Sequence, residues 1–337
     1  MVPRNRRAKS QPESGLEITA TNIVIAKRGD VIFQLGDPDG ELTKVKVSSE
    51  SMGFVSRVFE IMFNGEWADG QAFSPDNPRE VPLPNDDEVA MLLLCRIAHF
   101  QTSELPEYLD LDDLTVFAVT CDKYRCTGAV QTWSLKWTNR ILKKVSSPEE
   151  DCDSLLFATY LLDLPEEFYQ TTVYLARVPS KDVTLANLDL DLDLDILPLG
   201  ILDTLRINKR KSENRVYAAI SRSAGSLSCH AGQMAQGRLL HALSKRDVWP
   251  IRQQSVAQLK DKIARIGEVL PPRGCLYPSQ CQCDEFKDIK RDLVEQIDII
   301  YKSVPGICLD CYKRRLYNDP TRSCRMGHNH TAAVDTG

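Results

Sequence analysis

No apolar run in this chain approaches the roughly 20 residues that a membrane-spanning helix requires. Its first residues carry Arg4, Arg6, Arg7 and Lys9 rather than the apolar centre of a secretory leader. The expected location is therefore the cytosol or the nucleus, with no membrane partner. Charge of one sign is also scarce: 42 Lys and Arg against 47 Asp and Glu leave a net charge of −5. That gives no general pull toward nucleic acid, which is not expected as a partner. Histidine is rare, with His99, His230, His241, His328 and His330 making up all five. There is no phosphate-cradling glycine loop, no nucleophile elbow and no His-Glu-x-x-His pair. The expectation is a protein that is not an enzyme, with no catalytic and no cofactor-binding residue beyond a metal site.

Cysteine, by contrast, is plentiful. In a reducing compartment eleven cysteines point away from disulfides, and a clustered subset points to metal. Cys95, Cys121, Cys126, Cys152 and Cys229 are scattered, and the first two fall on expected core faces, where a thiol acts as a small apolar group. The other six lie between Cys275 and Cys324. Counted from Cys275 to His330, eight Cys and His fall within 56 residues. The strongest signal is Cys308-Leu-Asp-Cys311, because a two-residue spacer lets both sulfurs reach one ion. The expectation is one structural zinc site, or two, built on Cys308 and Cys311 with partners among Cys275, Cys281, Cys283, Cys324 and His328. The Cys2His2 pattern of a nucleic-acid finger is absent.

The densest folding signal runs from Gly29 to Cys126. Val31 to Gly36 and Leu42, Val45 and Val47 are rich in strand formers and flank a turn at Asp37-Pro-Asp-Gly40, predicting a β-hairpin. Ser48 to Ser51 offer capping oxygens ahead of a stripe of Phe54, Val55, Val58, Phe59 and Met62, predicting one helix. Glu80 to Leu83 is a short strand. Asn85 with Glu88 resembles a capping box before Val89, Leu92, Leu93, Ile97 and Phe100. Leu111, Leu114, Phe117, Ala118, Cys121 and Tyr124 share one face of a further helix.

Taken in this order, Gly29-Asp-Val-Ile-Phe33, Val45-Lys-Val-Ser-Ser49, Ser56-Arg-Val-Phe-Glu-Ile-Met-Phe63, Val81-Pro-Leu83, the helix of Ala90 to Phe100, and Leu114 to Tyr124 resemble the BTB/POZ domain. The similarity is greatest to divergent fungal BTB proteins with cysteine-rich tails. Lys46 stands where many such domains carry His. The resemblance implies an α+β fold, a small sheet capped by a helical cluster, followed by a mainly helical region with a zinc-stabilised element. It also implies a module that self-associates, as in a homodimer, or holds a protein partner. The alternatives are a substrate adaptor of a cullin-based ubiquitin ligase and a nuclear transcriptional co-regulator.

The whole chain then divides as a basic tail at 1–21, the BTB-like domain at 22–145, a helical extension at 146–178, a linker with a helix at 179–254, the cysteine-rich helical region at 255–330, and a tail at 331–337. In the extension, Leu155 to Leu162 form a buried-looking helix and Pro165 opens another. Asp189, Asp191, Asp193 and Asp195 alternate with Leu as an extended segment, and the glycines of a calcium loop are missing. Lys209-Arg-Lys211 lies on an exposed helix face, and 221–236, rich in Ser, Gly and Ala, is expected to be flexible. Stripes from Val256 to Leu270 and from Phe286 to Ile300 predict two amphipathic helices around the first cysteine group.

Overall fold

A computed structural model of the chain describes residues 21–36, 42–64, 74–144, 152–178, 197–225, 230–250, 254–267, 269 and 289–328. Among these the fold is mixed α+β, with four strands and twelve α-helices. The strands are β1 (Thr21–Val24), β2 (Val31–Gly36), β3 (Leu42–Val47) and β4 (Arg79–Leu83). The helices are α1 (Ser49–Val55), α2 (Arg57–Asn64), α3 (Glu88–Ala98), α4 (Leu111–Lys123), α5 (Thr127–Lys144), α6 (Cys152–Leu161), α7 (Pro165–Arg177), α8 (Leu199–Gly225), α9 (His230–Ser244), α10 (Val256–Ala264), α11 (Ile289–Lys302) and α12 (Leu309–Leu316). Contacts separate the chain into two units: residues up to 106 with 120–130, and residues 107–119 with those from 131 onward.

In the first unit the sheet order is β1-β3-β2-β4. β2 and β3 pair antiparallel, Val31 opposite Val47 and Phe33 opposite Val45, while β1 and β4 add in parallel at the edges. The two-residue period does the sorting. Val31, Phe33 and Leu35 of β2 and Thr43, Val45 and Val47 of β3 are buried on one face. On the other face Lys44 pairs with Glu80 at 2.7 Å. The rings of Phe33, Phe59, Phe63 and Tyr124 stack over the buried face, the closest pair being Phe59 and Tyr124 at 4.3 Å between centroids. The expected turn at 37–40 lies outside the described residues.

Where one helix was expected after the hairpin there are two, broken at Ser56. Its backbone is extended, and its hydroxyl donates to the Tyr124 carbonyl at 2.5 Å while accepting the Phe59 amide. The break turns the stripe: Met52, Phe59 and Phe63 are buried, whereas Phe54 is 83% exposed. The cap of α3 is Asp87, which accepts the Ala90 amide, and Glu88 instead accepts from Thr43. Val89 and Phe100 accordingly face outward, with Leu93, Leu94 and Ile97 buried.

In the second unit Phe117 meets Trp137 edge-on at 5.5 Å. Helix α6 is buried almost all round, Asp163 turns the chain with φ of 54°, and Pro165 begins α7. Helices α8 to α11 share one apolar core of Val216, Ile220, Leu239, Leu243, Leu259, Ile263, Leu293 and Ile297. The flexible stretch expected at 221–236 is helical at both ends: α8 runs through Gly225 and α9 starts at His230, with Ala235 buried. Helix α10 opens on a capping box of Ser255 and Gln258. No helix among the described residues is long and apolar enough to cross a membrane. The basic tail and the Asp-Leu alternation lie outside the described residues.

Candidate metal centre

The chain leaving α11 is guided to the site by α7. The buried Ile307 amide donates to Thr172 Oγ1 at 2.8 Å, and Ile307 and Leu309 are both buried. Gly306 passes so close to α7 that a Cβ would stand 2.7 Å from the Tyr169 carbonyl oxygen. No larger residue fits that path.

Cys308 is the N-cap of α12, with extended backbone, and Cys311 is three residues on in its first turn. Cap and third helical position lie on the same side of a helix start, so the two thiols converge. After α12 the chain turns at Asn318, whose φ is 49°, and Asp319 Oδ1 accepts the amide and hydroxyl of Thr321. The returning arm brings Cys324 beside the pair. A tight turn follows, with the Gly327 amide donating to the Cys324 carbonyl and φ of 74° at Gly327, and it swings His328 back over Cys324.

Cys324 Sγ lies 3.5 Å from Cys308 Sγ and 3.7 Å from Cys311 Sγ. His328 Nδ1 lies 3.3 Å from Cys311 Sγ and 3.4 Å from Cys324 Sγ. All four donor atoms fall within 4.8 Å of one another, and together they could hold a metal ion. Of the expected ligands, Cys308, Cys311, Cys324 and His328 are thus brought together. Cys275, Cys281 and Cys283, with His330, lie outside the described residues. Cys95, Cys121, Cys126 and Cys152 are buried in the apolar interior, and burial pushes the Cys95 and Cys121 thiols up, away from thiolate chemistry.

Within the cluster the thiols are unequal. Burial, with the Cys308 and Cys324 thiols beside it, pushes Cys311 up to about 12. Cys308 is also raised by burial, against the opposing pull of the Cys311 amide. Burial acts on Cys324 in the same direction, but hydrogen bonds from the His328 amide, the Cys308 thiol and the Met326 amide outweigh it and lower its pKa. Cys324 is the sulfur to which the turn's backbone donors point.

Spacing did not reveal a second group of residues around the thiols. Asp310, between the two cysteines of α12, is buried, and its carboxylate accepts the Arg325 amide at 2.9 Å, Nε at 3.0 Å and Nη2 at 2.7 Å. Arg325 also donates from Nη1 to the Asp163 carbonyl and pairs with its carboxylate at 2.8 Å. Lys313 reaches Asp163 at 2.7 Å. Burial alone would raise the Asp310 carboxyl, but the side chain and amide of Arg325 hold it below the usual range. The local sequence signal was an acid inside the Cys-x-x-Cys step and an arginine directly after Cys324. No family model matches the chain, and no curated protein matches it significantly.

Proposed function

We propose that this chain is a non-catalytic protein-protein interaction module of the BTB/POZ kind, whose C-terminal element is held by one structural zinc ion. The observation that carries the first part is the order of elements in the first unit. A β2-β3 hairpin, a helical segment split into α1 and α2, β4 and then α3 follow one another in the order of the segments that carry the resemblance, with Phe33, Val45, Phe59 and Leu94 buried. The outer surface of the α1-α2 pair supports a binding role. Phe54 and Ile61 are 83% and 55% exposed there, apolar groups that a partner would cover.

Zinc is supported by the donor set and by its dimensions. A tetrahedral ion with bonds of about 2.3 Å to sulfur and about 2.0 Å to nitrogen spaces its ligands about 3.8 Å apart for sulfur pairs and about 3.6 Å for sulfur with nitrogen. Four of the six separations are 3.5 and 3.7 Å for the first kind and 3.3 and 3.4 Å for the second, and the other two are within 4.8 Å. Soft thiolates disfavour magnesium and calcium. Four protein ligands would close the coordination sphere, the arrangement of a structural rather than a catalytic ion.

The interaction reading is tested on the full-length chain by its molar mass in solution, with a cullin N-terminal domain titrated into the same sample. The expected result is a dimer, or uptake of cullin in the adaptor form of the role. Phe54→Asp should abolish that association and leave thermal stability within about 0.5 kcal/mol, because the side chain is exposed. A monomer that takes up no cullin contradicts the proposal. Phe59→Asp would be uninformative, since it places a charge in the ring stack.

A further inference from the structure

We infer that Asp310, Arg325 and Asp163 form a clasp that positions the metal ligands before any ion arrives. The inference rests on the metal reading above and concerns residues that donate nothing to the ion themselves.

The two halves of the ligand set are held very differently. Cys308 and Cys311 belong to α12, which is anchored through buried Leu309 and the Ile307 to Thr172 bond. Cys324 and His328 belong to an arm without helix or strand, running from 319 to 328. Arg325, adjacent to Cys324, joins that arm to both anchored elements. It grips Asp310 of α12 with its amide, Nε and Nη2, and grips Asp163 of the α6-α7 turn with Nη1 and Nη2. A planar guanidinium that fills both carboxylates leaves the adjacent residue little freedom, so the position of Cys324 is fixed through Arg325.

Charge supports the same role. Three thiolates and one divalent ion sum to −1. Beside them stand the cations Lys313, Arg322 and Arg325 and the carboxylates Asp163 and Asp310, three against two, which sum to +1. Arg322 lies 3.5 Å from Asp163 and 3.8 Å from Asp310, so it adds charge without a tight bond. Together with Lys313 and Arg322, the clasp thus compensates the loaded centre while holding the half that lies outside helix and strand. Partners of this kind around metal ligands change affinity by about 10–100-fold when removed.

The test uses full-length protein, with zinc affinity measured by competition with a chromophoric chelator and with cobalt as a spectroscopic stand-in. Asp310→Asn and Arg325→Gln should each weaken zinc binding about 10–100-fold. The thiolate-to-cobalt charge-transfer band should persist at saturating cobalt, because all four ligands remain. Arg315→Gln, which removes an exposed positive charge outside the clasp, should stay within about twofold of the parent. Affinities of Asp310→Asn within twofold of the parent overturn the inference, as does an equal loss in Arg315→Gln, which would make the effect one of general charge. Hydrogen exchange of the metal-free protein separates this inference from the metal reading. The Arg325 amide should be protected in the parent and lose protection in Asp310→Asn, whether or not the parent binds metal. An unprotected Arg325 amide in the metal-free parent means that no clasp is preformed.

Discussion

His99 shows how one side chain can tie two elements by its protonation state. Its Nδ1–H donates to the Cys95 carbonyl at 2.7 Å, closing the end of α3, and its Nε2 accepts the Ser48 amide at 2.9 Å, just before α1. The pair of bonds fixes the neutral tautomer, because Nε2 must keep its lone pair. Burial lowers its pKa, and the Cys95 carbonyl only partly opposes this. A histidine with a lowered folded pKa contributes its full stability above the unfolded value of about 6.5 and loses it as pH falls through the folded value. His99→Ala should therefore be less stable than the parent at pH 7.5 by about 1–2 kcal/mol, the cost of a partly buried amide left without its acceptor. Urea midpoints taken from pH 7.5 downward should show that gap narrowing below about 6.5. A gap constant with pH would show that the imidazole's lone pair is not what the parent relies on.

Among the elements, α12 is the one on which the site depends, and its seat on α7 can be weakened without touching a ligand. Thr172→Val keeps the side-chain volume and strands the buried Ile307 amide, which should cost about 1–3 kcal/mol. Thermal unfolding should show the loss, and the variant should release zinc to a chelator faster than the parent. Unchanged release would mean that α12 holds its place without that bond. The elements differ in how far sequence exposes them. The hairpin, α7, α10 and α11 were legible because their apolar residues recur at the period of the element itself, and α6 because it is apolar almost all round. The break at Ser56 was not, because its cause is a bond to the Tyr124 carbonyl, 68 residues away. Helix α12 was also hidden. Its last turn is the basic run Lys313, Arg314 and Arg315, and Leu309 is its one buried apolar residue. The four gathered ligands were visible as a spacing, whereas the clasp joins Arg325 to a turn 162 residues distant, which spacing cannot express.

Across the whole molecule, two kinds of cohesion are at work. The first unit rests on a sheet and a ring stack built from residues close together in sequence order, with Tyr124 as its late member. The second unit carries after α11 a segment with few apolar residues, joined by ion pairs around Asp163 and Asp310 and gathering four Cys and His side chains that could hold a metal ion. That difference makes metal content the most direct test of the account. Zinc should be counted per chain in the purified full-length parent and in a Cys311→Ser, Cys324→Ser double variant. The account predicts that the parent exceeds the variant by one equivalent, whatever further zinc Cys275, Cys281 and Cys283 retain. Equal zinc in the two proteins, or none in either, would contradict it.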